Sequence, residues 1–290
     1  MEITIDDLSD ARIAEFLEQH LEDMKSVSPP ESKHALDLDG LKQPDITFWT
    51  VWQDDALVGC GALKELDSEH GEIKSMRTDL NSRGTGVGSF ILRHLMNVAI
   101  VRGYRRLSLE TGSMPFFEPA RQLYSKFGFT FCDPFADYKL DPNSVFMTRT
   151  TGYHARGECS CGAVQIYLTM PEPIEHYSSR ACDCDFCTIR HIEYISHPDG
   201  EVVLKSDSPL AVQMQGSNQA EFLACASCED VITASYPGKQ RIGSLNATLL
   251  VDYDRLNGSD VVSPKLLDAS DKLARWQTLW MPIHTWSTTG

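Results

Sequence analysis

Long apolar runs are missing from this chain of 290 residues. The longest candidate for a membrane span, Phe90 to Val101, is broken by Arg93, His94 and Asn97. It falls short of the roughly 20 apolar residues that a spanning helix needs, so no membrane segment is expected. An excess of basic residues is missing too. Asp and Glu number 41 against 26 Lys and Arg, a formal net charge of −15, with −8 falling up to residue 150 and −7 after it. Phosphate backbones call for clustered Lys and Arg, so nucleic acid is excluded as a partner. The acidity serves solubility, and it favours cationic small molecules only weakly. Met1-Glu2-Ile3-Thr4-Ile5-Asp6-Asp7 lacks both the basic n-region and the apolar core of a signal peptide. The expected setting is therefore the reducing cytoplasm, where thiols serve as ligands before they serve as disulfides.

Cysteine, by contrast, is concentrated. Seven of the nine fall in three short-spaced groups: Cys159-Ser160-Cys161, then Cys182-Asp183-Cys184-Asp185-Phe186-Cys187, then Cys225-Ala226-Ser227-Cys228. Four thiolates close a tetrahedral zinc site, and three leave a position open, so seven thiols read as four plus three. Cys60 and Cys132 lie in apolar runs without cysteine neighbours and read as small core residues.

The length allows two domains, each with its own core. In the first half, residues 2–5 alternate as a strand. Ser9-Asp10 caps a helix carrying Ile13, Phe16, Leu17 and Leu21, which Ser28-Pro29-Pro30 ends. Ile46 to Trp52 and Ala56 to Leu66 form a hairpin about Gln53-Asp54-Asp55, and Glu72 to Thr78 follows a turn at His70-Gly71. Arg83-Gly84-Thr85-Gly86-Val87-Gly88 then leads into a helical pattern that stops at Gly103. Strand, glycine loop and helix N-terminus together make a pyrophosphate cradle, although by itself such a loop is equally a turn that lets a strand enter a helix. Arg105 to Glu110 reads as a strand, Phe116 to Phe127 as a helix, Gly128 to Phe131 as a turn into a strand, and Val145 to Arg149 as a closing strand.

Arg83-x-x-Gly86-x-Gly88, together with Ala120-Arg121-Gln122-Leu123-Tyr124-Ser125-Lys126-Phe127-Gly128-Phe129, resembles the GNAT superfamily of acetyl-CoA-dependent N-acetyltransferases over residues 1–150. The resemblance implies an α+β fold: a mixed sheet with flanking helices, splayed between its fourth and fifth strands. Acetyl-CoA would sit in the cleft, its pyrophosphate on the amides of Arg83, Gly84, Thr85, Gly86, Val87, Gly88 and Ser89. The backbone of Met76, Arg77 and Thr78 would hold the thioester, and Tyr124 would protonate the leaving thiolate. Amine attack on a thioester also needs a base. Glu72 and Glu110, on neighbouring strands, are the candidates, each equally readable as a solvated strand residue. The acceptor is a small-molecule amine that no motif specifies, because the loops Lys25 to Asp45 and Asp133 to Asn143 are unconstrained.

Thr148 to His154 reads as the join to a second domain, 151–290, which is mostly β. Strands are expected at Ala163 to Thr169, Ile174 to Arg180, Glu193 to Ser196, Val202 to Leu204, Glu221 to Ala224 and Val231 to Tyr236. One helix, Ser270 to Trp280, carries Leu273, Trp276, Leu279 and Trp280 on one face and is expected to pack on a core. The seven thiols in their order resemble the glutathione-dependent formaldehyde-activating family, which includes a centromere protein. That resemblance implies a zinc β-tent. Cys159, Cys161, Cys225 and Cys228 would hold a structural zinc, and Cys182, Cys184 and Cys187 a second zinc with an exchangeable position. It also implies carbon–sulfur lyase chemistry on a thiol–aldehyde adduct, with glutathione or another thiol as cosubstrate. Asp183 and Glu229 stand where the family often has His and Gly. Added carboxylates beside a thiolate-rich zinc should weaken an anionic ligand, with Arg180, Arg190 and Arg241 available to offset them. A homo-oligomer is compatible with all of this.

Overall fold

The computed structural model describes residues 1–27, 36–216 and 218–286, and the chain divides into two compact units, 1–150 and 151–289. The Ser28-Pro29-Pro30 stop lies outside the described residues. Among the described residues no helix is long and apolar enough to cross a membrane.

The first unit is a seven-stranded mixed sheet. Its strands are β1 (Glu2–Ile5), β2 (Ile46–Gln53), β3 (Ala56–Asp67), β4 (His70–Thr78), β5 (Arg106–Gly112), β6 (Thr130–Cys132) and β7 (Ser144–Thr150), in the order β1-β2-β3-β4-β5-β7-β6. Its helices are α1 (Ala11–Val27), the short α2 (Leu38–Leu41), α3 (Val87–Arg102) and α4 (Glu118–Lys126). Asp10 starts α1 by accepting the amide of Arg12 at 2.8 Å. The β2–β3 turn is made by Asp54 and Asp55, both at positive φ (48° and 64°), the twist a two-residue hairpin requires. The next turn falls at Ser68-Glu69, and the expected turn residues His70 and Gly71 are the first of β4. His70 is buried inside the sheet, its Nδ1 on Arg106 and its Nε2 on Ser108, so its neighbours fix it as strand.

Helices cover both faces of this sheet. Ile13, Phe16 and Leu17 of α1 pack with Phe48, Cys60 and Ala62 on one side. On the other, a Cβ added to Gly59 or Gly61 would lie 2.8 Å from Ile91, so α3 descends onto β3 only because those residues are glycine. Gly103 ends α3 at φ 88°, with the Tyr104 amide donating to Ala99 O and the Gly103 amide to Ile100 O. Cys132, expected in the core, lies half-buried on the edge strand β6, whose Thr130 and Phe131 are exposed.

The parallel pair β4–β5 is in register only from His70↔Arg106 to Ile73↔Leu109. Beyond Ile73 the two strands part, while β5 stays paired with β7 through Gly112. This opening is the splay of a GNAT-type fold.

In the second unit the join shrinks to Thr151-Gly152, because Thr148 to Thr150 belong to β7 and Tyr153–Glu158 is a strand, β8. The others are β9 (Val164–Met170), β10 (Ser179–Cys182), β11 (Glu193–Ile195), β12 (Glu201–Ser206), β13 (Ala211–Met214), β14 (Glu221–Ala224), β15 (Val231–Tyr236), β16 (Ile242–Asn246), β17 (Ser259–Val262) and β18 (Met281–Trp286). Two helices join them, α5 (Asp185–Ile189) and α6 (Ala269–Leu279). The expected strand from Ile174 is a 3-10 turn over Ile174–His176, and pairing begins only at Ser179. The sheet runs β13-β14-β15-β16-β18-β12-β9-β8, with β11, β10 and β17 branching from β16. Its core gathers Ile166, Leu168, Val202, Leu204, Ile232 and Leu245.

Candidate active site and candidate metal sites

The opening between β4 and β5 holds a cleft of about 620 Å³. Glu72, Lys74 and Met76 line it from β4, Arg83, Gly84, Gly86 and Gly88 from the glycine loop, and Glu110 and Tyr124 from β5 and α4. Arg77, Thr78 and Ser89 complete the wall on the side of the loop. Thr85 and Val87 do not line it. The Thr85 hydroxyl turns back to donate to Ser82 O at 2.7 Å, and Val87 is a core residue of α3.

A bulge shapes the middle of β4. Cys60 pairs with Arg77 and Ala62 with Lys74, so Ser75 and Met76 together oppose the single residue Gly61. Ser75 takes the left-handed region at φ 51°, and its carbonyl accepts from the Cys60 thiol at 3.3 Å. The extra residue bends the strand and re-aims Met76 into the cleft.

Gly84 and Gly86 take φ of 78° and 99°, and a Cβ on either would meet nothing within 4 Å. Their requirement for glycine is therefore one of conformation, not of space. Gly86 also caps α3 without any side-chain hydrogen bond, which leaves the first amides of a 16-residue helix beside the cleft. Unpaired amides at the positive end of a helix dipole are a seat for an anion.

Tyr124 is the buried residue of α4. Its hydroxyl lies 3.9 Å from Met76 Sδ, and its ring meets Phe129 edge-on. Burial, and after it the charge of Glu110, pushes this phenol well above its ordinary pKa. Arg121 fixes the helix that carries it, donating to Gly112 O at 2.5 Å and Met114 O at 3.1 Å while pairing with Glu118 at 2.6 Å.

The two candidate bases share the cleft but not their surroundings. Glu72 is 2% exposed and accepts from Lys74 Nζ at 2.9 Å and from the Tyr138 hydroxyl at 2.6 Å, while Lys74 also donates to Tyr138 at 2.7 Å. Burial, then the charge of Glu72, raises the Tyr138 phenol far above its usual range. Glu110 instead accepts from Ser144 Oγ at 2.6 Å. Lys74 shares a strand face with Glu72 two residues away, a signal the sequence does carry. Tyr138 and Ser144 arrive from an unconstrained loop and from β7, and spacing gives no sign of them.

Residues 10–129 match the profile of the acetyltransferase (GNAT) family. An uncharacterised N-acetyltransferase of Bacillus subtilis, YsnE, is 58% identical over 149 residues, which cover 51% of this chain and 99% of that protein. The chain belongs to the GNAT family. An IAA acetyltransferase of Azospirillum brasilense is 37% identical to this GNAT protein over 141 residues, 48% of this chain and 88% of the relative. Among solved structures, a GNAT acetyltransferase from Staphylococcus aureus aligns with a TM-score of 0.43 at 22% identity, covering 51% of this chain and 99% of that one.

In the second unit of this GNAT chain the seven thiols gather as two groups, none in a disulfide. The sulfurs of Cys159, Cys161, Cys225 and Cys228 lie within 4.8 Å of one another, with Cys159–Cys161 at 3.5 Å and Cys161–Cys225 at 3.7 Å. Zinc–sulfur bonds of about 2.3 Å in a tetrahedron give sulfur–sulfur edges of roughly 3.8 Å, so the four thiols fit a zinc ion. The Val164 amide donates to Cys159 Sγ at 3.2 Å and the Ser227 amide to Cys225 Sγ at 3.4 Å, the support that thiolates in a metal knuckle need. Cys182, Cys184 and Cys187 form the second group, also within 4.8 Å, and the Tyr194 hydroxyl lies 3.6 Å from Cys187 Sγ.

Of the carboxylates beside these thiols, Asp183 is answered at one oxygen. Asp183 Oδ2 accepts from Ser263 Oγ at 2.7 Å and pairs with Lys265 at 3.1 Å, and the Ser263 bond, then Lys265, holds its pKa below the ordinary value. Glu229 sits at φ 63°, the backbone region that glycine adopts freely. Of the three arginines expected to offset acidity, Arg241 pairs with Glu221 at 2.5 Å and Arg190 lies over the Phe186 ring at 4.1 Å. Only Arg180 turns inward, donating to Ser196 and Ser244.

Proposed function

We propose that the first unit transfers the acetyl group of acetyl-CoA to the amine of a small molecule, with Glu110 as general base and Tyr124 as the hydrogen-bond donor to the departing thiolate. The observation that carries this is the meeting of the glycine loop, the bulged β4, Glu110 and Tyr124 in one cleft. The CoA pyrophosphate takes the amides of Arg83 to Ser89. The acetyl carbonyl lies against the backbone of Met76 to Thr78, where the bulge interrupts the ladder. The acceptor ammonium gives one proton to Glu110, the free amine attacks the thioester carbon, and the tetrahedral adduct collapses with sulfur leaving toward the Tyr124 hydroxyl while the second proton on nitrogen passes to the thiolate to give the amide and the CoA thiol. Glu72, already bound to Lys74 and Tyr138, shapes the acceptor end of the cleft and is the less favoured base. Tyr124→Phe is expected to lower turnover about 10- to 100-fold with acetyl-CoA affinity unchanged, and equal turnover would remove Tyr124 from this role.

For the second unit we infer a zinc β-tent of the formaldehyde-activating kind. Cys159, Cys161, Cys225 and Cys228 would hold a structural zinc, and Cys182, Cys184 and Cys187 a second with one exchangeable position. When bound there, zinc favours the thiolate form of a fourth, sulfur ligand such as glutathione, and so supports thiol addition to a small aldehyde or the reverse carbon–sulfur cleavage. The chain's own contribution is to keep Cys182 and Cys184 half-buried, where a ligand reaches them, with Tyr194 held against Cys187. Metal analysis should find about two zinc ions per chain, one displaced by added thiol. A single inert zinc would leave the domain a structural or substrate-binding module beside the acetyltransferase.

A further inference from the structure

The end of β5 serves both sides of the cleft through one residue, Gly112. Its carbonyl holds Arg121 of the helix that carries Tyr124, and its partner across the antiparallel pair β5–β7 is Ser144. Glu110, two residues earlier, pairs with Phe146. Side chains alternate along each strand, so Glu110, Phe146 and Ser144 stand on one face of the sheet. Gly112 leaves that face open opposite Ser144, and the Ser144 hydroxyl reaches back to donate to Glu110 Oε1 at 2.6 Å. A Cβ on Gly112 would run into the buried ring of Phe117, so only glycine allows this arrangement.

Ser144 is held in place without help from its hydroxyl. Its amide donates to Asp141 O at 3.1 Å, and the Asn143 amide donates to Asp141 Oδ1 at 2.8 Å. From the end of β5, the Ser113 amide donates to Asn143 O at 2.9 Å and the Ser113 hydroxyl to Pro142 O at 2.8 Å. The turn that delivers Ser144 is thus clamped from both strands, and its hydroxyl is left to Glu110. A glutamate has three side-chain torsions, and a base that must meet an ammonium loses its aim if they are free. A hydroxyl donor on one oxygen removes that freedom and favours the charged form, the form that takes a proton. The other titratable groups around the cleft are Glu72, Lys74 and Arg77 on β4, Arg83 on the loop, Tyr124 and Lys126 on α4, Tyr138 bonded to Glu72, and Asp141 in the turn. A change of the Ser144 side chain alters none of them.

We propose that Ser144 is a positioning residue of the acetyl transfer, its hydroxyl holding one oxygen of Glu110 so that the other meets the acceptor ammonium. The assignment rests on the reading of Glu110 as the base.

The test follows kcat/KM of the full chain against pH, with acetyl-CoA saturating and n-butylamine, phenethylamine and lysine as acceptors. Ser144→Ala should lower the plateau about tenfold and move the acid limb up by about one pH unit, with acetyl-CoA affinity unchanged. Ser144→Thr, which keeps the hydroxyl, should restore both. A merely structural loss would lower the plateau or the unfolding temperature and leave the limb where it was. A second arm needs no acceptor: with isotope-labelled glutamate carboxyls followed by NMR, the signal that Glu110→Gln removes should titrate about one pH unit higher in Ser144→Ala and at the wild-type midpoint in Ser144→Thr. A limb and a midpoint that stay in place in Ser144→Ala overturn the proposal. So does a shift that Ser144→Thr fails to reverse, because it then belongs to the strand end and not to the hydroxyl. If no amine is acetylated, or Glu110→Gln keeps the wild-type rate, the reading of Glu110 as base fails and takes the proposal with it. An inactive Glu110→Gln beside an unmoved Ser144→Ala sinks the proposal alone.

Discussion

Two glutamates flank one cleft, and their neighbours give them different work. Glu110 accepts from the Ser144 hydroxyl, a bond that glutamine can also accept, whereas Glu72 is locked to a lysine. Glu110→Gln should therefore lower kcat/KM about 100- to 1,000-fold with little loss of stability, as steady-state rates and urea midpoints would show. Glu72→Gln leaves buried Lys74 without its anion and should cost about 3 kcal/mol in stability, read in the urea midpoint. Because the Tyr124 phenol is pushed up, it keeps its proton through the working range. The rate profile should then show no descending alkaline limb below about pH 10, the ordinary phenol value. Glu229 makes a simpler case. A left-handed backbone costs a non-glycine residue about 1–2 kcal/mol, and glycine returns about 0.5–1 of that as chain entropy. Glu229→Gly should thus raise stability by about 0.5 kcal/mol, detectable as a higher unfolding temperature.

Elements that the sequence marks plainly are those whose side chains alternate against a core or repeat along a helix. β14 and β15 fall where Glu221 to Ala224 and Val231 to Tyr236 predict them, and α3 runs to the glycine that ends it. Strands β13, β16, β17 and β18 leave weaker traces. Ala211–Met214 and Ser259–Val262 are largely exposed, Ile242–Asn246 includes Gly243 and Ser244, and Met281–Trp286 includes Pro282. Pairing partners, not their own periodicity, make these segments strands. The site divides along the same line. The glycine loop, Tyr124 and the cysteine groups are legible because short-range spacing carries them, while Tyr138 and Ser144 depend on elements remote in sequence. Packing of α3 and β4 also places two histidines where protonation is disfavoured. His94 is held at about 4 by burial, and His70 is lowered by burial and then by Arg106. A depressed folded value means that the unfolded chain takes protons first. The stability these residues contribute is therefore whole above about pH 6.5 and lost as pH falls from there. Urea midpoints of the first unit should drop between neutral pH and about 4, and His94→Gln should flatten part of that slope.

At the scale of the whole molecule, an acetyltransferase unit of the GNAT family is followed by a unit that gathers seven thiols in two groups. Chelation should remove the unfolding transition of the second unit while acetyl transfer by the same chain continues, a contrast that calorimetry and a CoA-release assay would record together. Cys159 follows β8 and Cys225 follows β14, strands that lie at or next to opposite ends of the sheet's path, yet their sulfurs share one cluster. β18 joins the two halves of that path, since it pairs with β12 on one side and β16 on the other, and it follows every other described strand in the chain. All four clustered thiols leave the ribosome before it does. On the proposed reading of the four thiols as a zinc site, a nascent chain that meets the metal early would fasten the rim of the sheet while its middle is still open, and metal supply during translation, not only afterwards, would then determine yield.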